Sequence, residues 1–283
     1  MDTAVPTTGD SVLSRAMRIL RTFNGPDAAG AGPEGGPAPS LTASEISRRA
    51  GLPVATAHRL VGELVALGAL ERGPDKRVRV GYRLWEIASR SSPARGLSRA
   101  ALPYMEDLQA VVREHTQIGV LEGTDVLYLE RLSRPEAGRN VAEVAGRLPV
   151  HATSTGLVLL AHEPAEFQER VLGGRLHAAT PHTVTDPARL RRLLAGIRRD
   201  GFVVSPRTMT PESVGLAAPV RDSDNRVVAA LSLVVPFETG DPRRYLPVLV
   251  AAARGVSRAM GAPVSRENMI RTQGFRPVRD GTE

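Results

Sequence analysis

Residues 42–68 constrain this chain more than any other segment, because they hold two short helical patterns joined by one glycine, TASEISRRAGLPVATAHRLVGELVALG. Thr42 and Glu45 have the spacing of a capping box, and Gly51 tolerates the left-handed backbone that ends a helix. Pro53 suits the first position of the next helix, and Gly68 ends it. The core-facing stripe of this second helix is expected at Ala57, Leu60, Leu64 and Leu67. Two short helices joined by so tight a turn predict a helix-turn-helix, whose second helix enters the major groove of DNA.

The segment that follows predicts a wing. Residues 69–85 alternate apolar and basic side chains around Gly73-Pro74-Asp75, with Val78, Val80 and Tyr82 on one face and Arg77, Arg79 and Arg83 on the other. In such an element Arg59 would meet a guanine or a phosphate, and Thr56 a phosphate or a thymine methyl. The alternative is an ordinary helix pair with a solvated basic face. The candidate DNA-binding residues are Thr42, Val54, Ala55, Thr56, His58, Arg59, Arg72, Lys76 and Arg77.

Charge and cysteine content narrow the functional classes. The chain has 37 Lys+Arg against 30 Asp+Glu, a formal net charge of +7, which favours a nucleic-acid partner over a membrane surface. Lys76 is the only lysine, so part of the basic excess reflects arginine usage rather than function. The chain has no cysteine, which excludes disulfides, thiolate zinc sites and thiol nucleophiles. We therefore expect a cytoplasmic protein without metal, cofactor or membrane span.

The rest of the chain predicts an α+β fold in which an antiparallel sheet is flanked by helices. A first helix is expected at 11–23 after an N-cap at Asp10, and a linker helix within 84–114 with a hinge at Ser91-Ser92-Pro93. Two hairpins are expected, turning at 122–125 and at 222–225. Helices are expected at 154–172, at 187–199 between Asp186 and Gly201, and at 242–260.

Composition and periodicity together divide the chain into five segments. The two ends and the Gly/Pro/Ala-rich stretch have almost nothing to bury, so we expect them to be disordered. The segments are a disordered N-terminus at 1–10, a winged helix-turn-helix at 11–84 with a disordered loop at 25–40, a linker at 85–98, an effector domain at 99–262 and a disordered tail at 263–283.

Several of these segments resemble the IclR family of transcriptional regulators. The likeness is carried by GLPVATAHRLVGELVALGALER and GYRLWEIAS in the first half, and by LPVHATSTGLVLLA and GLAAPVRDSDNRVVAALSLVVP in the second, and it spans about 11–260. The resemblance implies a winged helix-turn-helix, a linker helix and a GAF-like effector domain. It also implies a homodimer or tetramer that binds a near-palindromic operator, most simply as a repressor, and responds to a small carboxylate or aromatic acid.

The resemblance also implies an effector pocket around the start of the helix at 154. Backbone N–H groups and hydroxyls at Thr153–Gly156 would suit an anion, although Ser and Thr there could simply cap the helix. The sequence departs from the family pattern at Leu157, where lysine is usual, and at 205–216, where Arg207 and Met209 replace acidic residues and Glu212 a glycine. Arg207 could line the pocket or, given the local Pro206 and Pro211, point to solvent as a surface residue. The candidate effector-binding residues are Gln117, Tyr128, Leu148, His151, Thr153, Ser154, Thr155, Gly156, Arg207, Met209, Gly215, Leu231 and Ser232, with Leu216 beside them.

Two other functions remain open from the sequence. His151, Ser154 and Asp186 are the residue types of a hydrolytic triad, but no nucleophile-elbow motif places them together, so no catalytic residue is expected. The second alternative is an effector-independent DNA-binding protein whose larger domain only oligomerises.

Overall fold

The computed structural model describes residues 11–24, 40–137, 140–238 and 240–263. The terminal segments and the Gly/Pro/Ala-rich loop that the sequence predicts to be disordered lie outside the described residues, except for Ser40 and Pro263 at their edges. The chain divides into two compact units, Met1–Pro93 and Ala94–Glu283. The division falls inside the segment expected to be the linker.

The first unit is a three-helix element followed by a two-stranded wing and a fourth helix. Its core is formed by Ile19, Phe23, Leu41, Ile46, Ala50, Leu52, Ala57, Leu60, Val61, Leu70 and Val78. The strands pair antiparallel, and Leu41 adds a short bridge to Val78. The elements are α1 Val12–Arg21, α2 Ala43–Ala50, α3 Val54–Ala66, β1 Leu70–Arg72, β2 Val78–Val80 and α4 Tyr82–Ser91, with a 3-10 turn at Thr22–Asn24.

Four details of the first unit differ from the sequence prediction. Ser11, not Asp10, caps α1, and Pro53 is the N-cap of α3 rather than its first residue. Leu67 lies past the end of α3 and is 68% exposed, and Val61 takes its place in the core. The second wing strand stops at Val80, so Tyr82 and Arg83 open α4 instead of extending the strand.

The second unit is an antiparallel sheet of six strands with helices on both faces. The strands lie in the order β5-β4-β3-β8-β7-β6, and both predicted hairpin turns are present, between β3 and β4 and between β7 and β8. The elements are α5 Pro93–Val112, β3 His115–Glu122, β4 Asp125–Leu132, β5 Arg147–Pro149, α6 Ser154–His162, α7 Ala165–Leu172, α8 Pro187–Asp200, β6 Val203–Pro206, β7 Ser213–Arg221, β8 Val227–Pro236 and α9 Leu246–Ala259.

The helices of this unit differ from the prediction at two boundaries. Pro164 disfavours helical backbone at Glu163, so the helix expected at 154–172 is split into α6 and α7. The last helix begins with a 3-10 turn at Pro242–Tyr245 before α9. The predicted stripe of α5 is buried as expected, at Leu97, Ala101, Met105, Leu108 and Val112.

Alternation along the strands gives the sheet two apolar faces. One face packs on α5 and α9 through residues such as Leu216, Leu231 and Leu233. The other packs on α6, α7 and α8 through residues such as Tyr128 and Ala230. Neighbouring residues of a strand therefore belong to different cores, which decides which side chains can share a site.

The start of α6 is seated closely on the chain that precedes it. Thr153 caps the helix, its hydroxyl accepting a hydrogen bond from the Gly156 N–H at 3.0 Å. A Cβ on Gly156 would lie only 2.2 Å from the carbonyl oxygen of Val150, which is backbone and has little room to move. Only glycine therefore allows the helix to begin this close to Val150.

We expect Gly156→Ala to lower the free energy of unfolding by about 2 kcal/mol or more, because the added methyl overpacks against backbone. Gly196→Ala is the matched control. Gly196 also lies in a helix, but its Cβ would meet only the Arg199 side chain at 3.8 Å, so alanine should be neutral or stabilise by up to about 1 kcal/mol. Thermal or denaturant unfolding of the two variants measures the difference; equal stabilities would contradict the seating of α6.

Candidate functional site

The turn of the helix-turn-helix is held by side chains as well as by its glycine. Gly51 has a φ of 61°, the left-handed conformation predicted for it. The Ser47 hydroxyl donates to the carbonyl of Leu52 at 2.7 Å, across the turn. These contacts fix the direction in which α3 leaves α2.

The predicted capping box of α2 is present. The Thr42 hydroxyl accepts from the Glu45 N–H at 3.2 Å, and the Thr42 N–H donates to the Glu45 carboxylate at 2.7 Å. Hydrogen bonds from the backbone and hydroxyl of Thr42 hold the pKa of the Glu45 carboxyl below its ordinary value, and the cations of Arg77 and Arg49 add to the shift. Thr42 therefore uses its side chain to cap a helix, so it is better placed to position α2 than to contact a base.

The outward face of α3 carries most of the predicted DNA-binding side chains. Val54, Ala55, His58 and Arg59 are exposed, and Thr56 is half-buried. The Arg59 guanidinium forms an ion pair with Glu63, one helical turn along. An exposed pair of this kind is weak, so Arg59 can exchange Glu63 for another anion at little cost.

The structure assigns different surroundings to the predicted basic residues of the wing. Arg72 and Lys76 are exposed near its tip, and Lys76 has a left-handed φ of 63°. The Arg77 guanidinium instead donates to the carbonyl and the hydroxyl of Ser40 and lies 3.3 Å from the Glu45 carboxylate. Arg77 thus ties the wing to the start of α2, and the exposed cations at the tip are Arg72 and Lys76.

A cavity of about 30 Å³ opens on the face of the sheet that carries α6. Each of the six strands contributes at least one residue to its wall, and the start of α6 and two loops complete it. This volume is room for about two water molecules. The lining residues are Gln117, Tyr128, Asn140, Val141, Ala142, Leu148, Thr153, Ser154, Ser205, Thr208, Met209, Thr210, Ser213, Gly215 and Val234.

The cavity brings together about half of the residues predicted from the resemblance. Those that line it are Gln117, Tyr128, Leu148, Thr153, Ser154, Met209 and Gly215. Those that do not are His151, Thr155, Gly156, Arg207, Leu231 and Ser232. The segment 205–216 was expected at the wall and supplies more lining residues than were singled out. The loop at 140–142 was missed, because it has no periodic pattern and follows a strand like any surface connection.

Two of the residues that do not line the cavity form a buried hydrogen bond between α6 and β8 beside it. Thr155 and Ser232 are fully buried, and the Thr155 hydroxyl donates to the Ser232 hydroxyl at 2.8 Å. The Tyr128 hydroxyl donates to the Thr155 hydroxyl at 3.4 Å, which connects this pair of buried hydroxyls to the cavity wall. Burial raises the pKa of the Tyr128 phenol, against the opposing effect of hydrogen bonds with Thr155 and Thr153. Tyr128 is therefore a neutral donor.

Leu231 and Arg207 were predicted at the pocket and lie elsewhere. Leu231, like Leu216, points to the opposite face of the sheet, because it alternates with Ser232 along β8. The Arg207 guanidinium donates to the carbonyl of Pro211 at 2.9 Å and stacks 4.9 Å over the half-exposed ring of Phe237. The lining residues consequently include no Arg, Lys, His, Asp or Glu, and the polar groups of the wall are neutral amides and hydroxyls.

The connection between α7 and α8 braces both sides of the cavity. The hydroxyls of Thr180 and Thr183 donate to the carbonyls of Arg207 and Thr208 at 2.6 and 2.7 Å. On the other side, the ring of His151 is bonded through Nε2 to the carbonyl of His177 at 3.0 Å. These bonds hold the loop that carries Thr208 and Met209, and they explain the burial of His151 outside the cavity.

The described residues do not assemble the hydrolytic triad that the residue types allowed. His151 is bonded to the carbonyl of His177, and the Asp186 carboxylate accepts from the Arg189 N–H as the N-cap of α8. Within the same described ranges, no three His, Asp or Glu side chains come together as a metal site. No helix among them is long and apolar enough to span a bilayer.

Comparison with known proteins decides the family. The model of the IclR helix-turn-helix domain matches residues 12–74, and that of the bacterial transcriptional regulator IclR C-terminal domain matches residues 93–259. The chain belongs to the IclR family of bacterial transcriptional regulators. Membership confirms the α+β fold with an N-terminal helix-turn-helix and a C-terminal antiparallel domain, and the expectation of a regulator rather than an enzyme.

Individual relatives cover nearly the whole chain. The glycerol operon regulatory protein of Streptomyces griseus is 32% identical over 88% of this chain and 96% of its own length. The HTH-type transcriptional regulator XynR of Escherichia coli is 27% identical over 89% of this chain and 97% of its own length. A crystal structure of an IclR homolog from Microbacterium hydrocarbonoxydans, complexed with 4-hydroxybenzoate, is 48% identical over 88% of this chain and 99% of that one, with a TM-score of 0.80.

The acid sensitivity of the α2 cap is expected to depend on Glu45. Its pKa is lowered in the folded state, so the cap is complete above the ordinary value of 4.5 and is lost as pH falls through the lower folded-state value. We expect hydrogen-exchange protection of the Thr42 amide to fall over that range. Glu45→Gln should lower this protection at neutral pH and remove its pH dependence, whereas Glu86→Gln, on exposed α4, should change neither. An unaltered pH profile in Glu45→Gln would contradict the assignment.

Proposed function

We propose that the protein is a repressor that binds operator DNA through α3 and the wing, and that a small effector bound in the cavity modulates this binding. The observation that carries the proposal is the pairing, within one IclR-family chain, of an exposed helix face bearing Arg59 with a buried, largely neutral polar cavity. A regulator of chromosomal DNA in a bacterium works in the cytoplasm, and we propose that location.

The DNA contacts divide into two kinds. We assign base-edge or phosphate contacts to Arg59, His58 and Thr56 on the outward face of α3, with Val54 and Ala55 offering apolar contact to a thymine methyl. We assign phosphate contacts to Arg72 and Lys76 at the wing tip, because backbone contacts need exposed cations without strict geometry. Arg77 and Thr42 hold the wing and α2 in position for both.

We expect Arg59→Ala to weaken specific operator binding by about 1–3 kcal/mol, the worth of a good base contact. Glu63→Gln should have the opposite effect, because it releases Arg59 from its ion pair and removes a negative charge from the face that meets DNA. Glu86→Gln is the matched control, since it breaks an exposed Arg–Glu pair with the same spacing on α4. Fluorescence anisotropy with an operator fragment at fixed salt measures all three.

If Arg59→Ala bound the operator more tightly than Glu63→Gln, or if Glu63→Gln and Glu86→Gln had equal affinities, α3 would not be the recognition helix.

We propose that the protein binds as a homodimer or a tetramer on a near-palindromic operator. The first unit leaves large apolar side chains exposed on α1, at Leu13 and Met17, and on α4, at Tyr82 and Trp85. Apolar side chains this exposed are typical of a surface covered by a second copy. A two-fold dimer meets the same groove face twice, so the half-sites should lie about 10–10.5 base pairs, or a multiple, apart.

We propose an aromatic or aliphatic carboxylate as the effector, held at the start of α6. The relative crystallised with 4-hydroxybenzoate supports this class. Ser154 lies at the first position of α6 and lines the cavity, and its hydroxyl has no hydrogen-bond partner among the described residues. The helix N-terminus supplies N–H donors and a favourable dipole, so neutral groups alone can hold an anion there. Because the cavity is small, its loops must move outward to admit such a ligand.

We expect 4-hydroxybenzoate to bind at least about tenfold more tightly than 4-hydroxybenzamide, because hydrogen bonds to a charged group are the stronger ones. Ser154→Ala should reduce this ratio. Gly215→Ala should weaken binding of both ligands, since its Cβ would lie 2.7 Å from the Ser154 hydroxyl oxygen and displace that side chain, while Gly196→Ala should leave both unchanged. Isothermal titration calorimetry measures the affinities. Acid and amide of equal affinity would place the anion site elsewhere.

The alternative of an effector-independent DNA-binding protein makes the opposite prediction. In that case operator affinity would be the same with and without every carboxylate tested, and Gly215→Ala would regulate its operator as the native chain does.

A further inference from the structure

Gln117 is a buried polar side chain in the wall of the cavity. It lies on β3, is 2% exposed and contacts the cavity together with Asn140 and Ala142 of the loop opposite. Its amide has one oxygen that only accepts hydrogen bonds and one NH₂ group that only donates them. The orientation of this amide therefore decides which kind of ligand group the wall can satisfy.

The backbone of the loop fixes that orientation. The Ala142 N–H, which can only donate, lies 3.0 Å from the side chain of Asn140, so the atom facing it must be the oxygen Oδ1. The other atom of the Asn140 amide is then the donor Nδ2, which bonds to the oxygen Oε1 of Gln117 at 2.9 Å. Flipping either amide would set two donors or two acceptors against each other. Of the two polar atoms of the Gln117 amide, Nε2 is therefore the one that does not bond to Asn140.

Nε2 of Gln117 has no hydrogen-bond partner among the described residues, although the side chain is almost wholly buried. Nε2 itself is not fully sealed from solvent, so water or a ligand can accept its hydrogen bond, and displacing that water with a group that cannot accept is costly. The same wall also has apolar members, including Val141, Ala142 and Leu148. A ligand with an acceptor facing Nε2 should therefore bind more tightly than one with an apolar group of the same shape there.

We propose that Gln117 is a specificity-determining residue that selects effectors carrying a neutral hydrogen-bond acceptor, such as an ether, carbonyl or hydroxyl oxygen, in addition to their acidic group. The proposal rests on the effector site proposed above and adds a second polar requirement to it. The effector is then a small, two-ended molecule: its acidic end lies at the start of α6 and its acceptor faces Nε2 of Gln117. The loop at 140–142 acts through Gln117 by fixing which way its amide faces.

Matched ligands test the acceptor requirement. Methoxy and ethyl groups have nearly the same shape, but only the methoxy oxygen accepts a hydrogen bond. We expect the full chain to bind the methoxy member of a 3- or 4-substituted benzoate pair about tenfold more tightly than the ethyl member, measured by calorimetry. The same preference should appear when each pair is repeated as primary benzamides, because Gln117 does not contact the acidic group.

Variants locate the preference at Gln117. Gln117→Met keeps the length of the side chain and removes its donor, so the methoxy-to-ethyl affinity ratio should fall close to one. Gln168→Met is the control, because Gln168 lies in α7, outside the lining residues, and donates to the backbone of Glu163. Its ratio should match that of the native chain. The ratio compares two ligands on one protein, so a general loss of stability cancels.

The outcomes separate this proposal from the anion site. A ratio near one in the native chain, or a preference that survives Gln117→Met, overturns the role of Gln117 even if carboxylates bind. A methoxy preference that persists among benzamides supports it even if acid and amide bind equally, which would overturn only the anion site. If no ligand of either series binds, both proposals are wrong. A downfield shift of the Gln117 side-chain ¹⁵N signal with the methoxy ligand alone would give independent support.

Discussion

The close seating of α6 on the loop before it is the contact on which the second unit depends. A Cβ at Gly156 would sit 2.2 Å from the Val150 carbonyl, so this helix can start where it does only with glycine at that position. That start brings Thr153 and Ser154 over the sheet, where they close the cavity. It also lowers Thr155 to hydrogen-bonding distance of Ser232, which joins the helix to β8. A small shift of α6 would disturb the cavity and its support together.

The two units differ in the charge of their exposed or cavity-lining polar groups. In the first unit, Arg77 is held in place by Ser40 and Glu45. Arg72 and Lys76 are exposed to solvent, where a phosphate can reach them. In the second, the cavity contains no charged side chain and relies on amides, hydroxyls and a helix N-terminus. For the effector site proposed above, neutral donors would bind an anion without the desolvation cost of a buried cation.

Features set by local chemistry could be predicted from the sequence, and those set by distant contacts could not. The capping box, the left-handed Gly51 and the hairpin turns each depend on residues a few positions apart in the sequence. Arg207 was misplaced because its partner, Phe237, lies far along the sequence. The error at Leu231 was avoidable, since adjacent residues of a strand face opposite ways and Leu231 and Ser232 cannot both face the side of the sheet that carries α6. The loop at 140–142 gave no signal, because its role comes from one backbone N–H.

Hydrogen–deuterium exchange of the full chain, with and without a saturating aromatic carboxylate, tests most directly whether the effector occupies this cavity. Ligand in the cavity should slow exchange at 140–142, 153–156 and 208–210, and leave the α9 helix on the other face of the sheet unchanged. Protection confined to α9 or to the helix-turn-helix, or none at all despite saturation, would contradict the assignment of the cavity as the effector site.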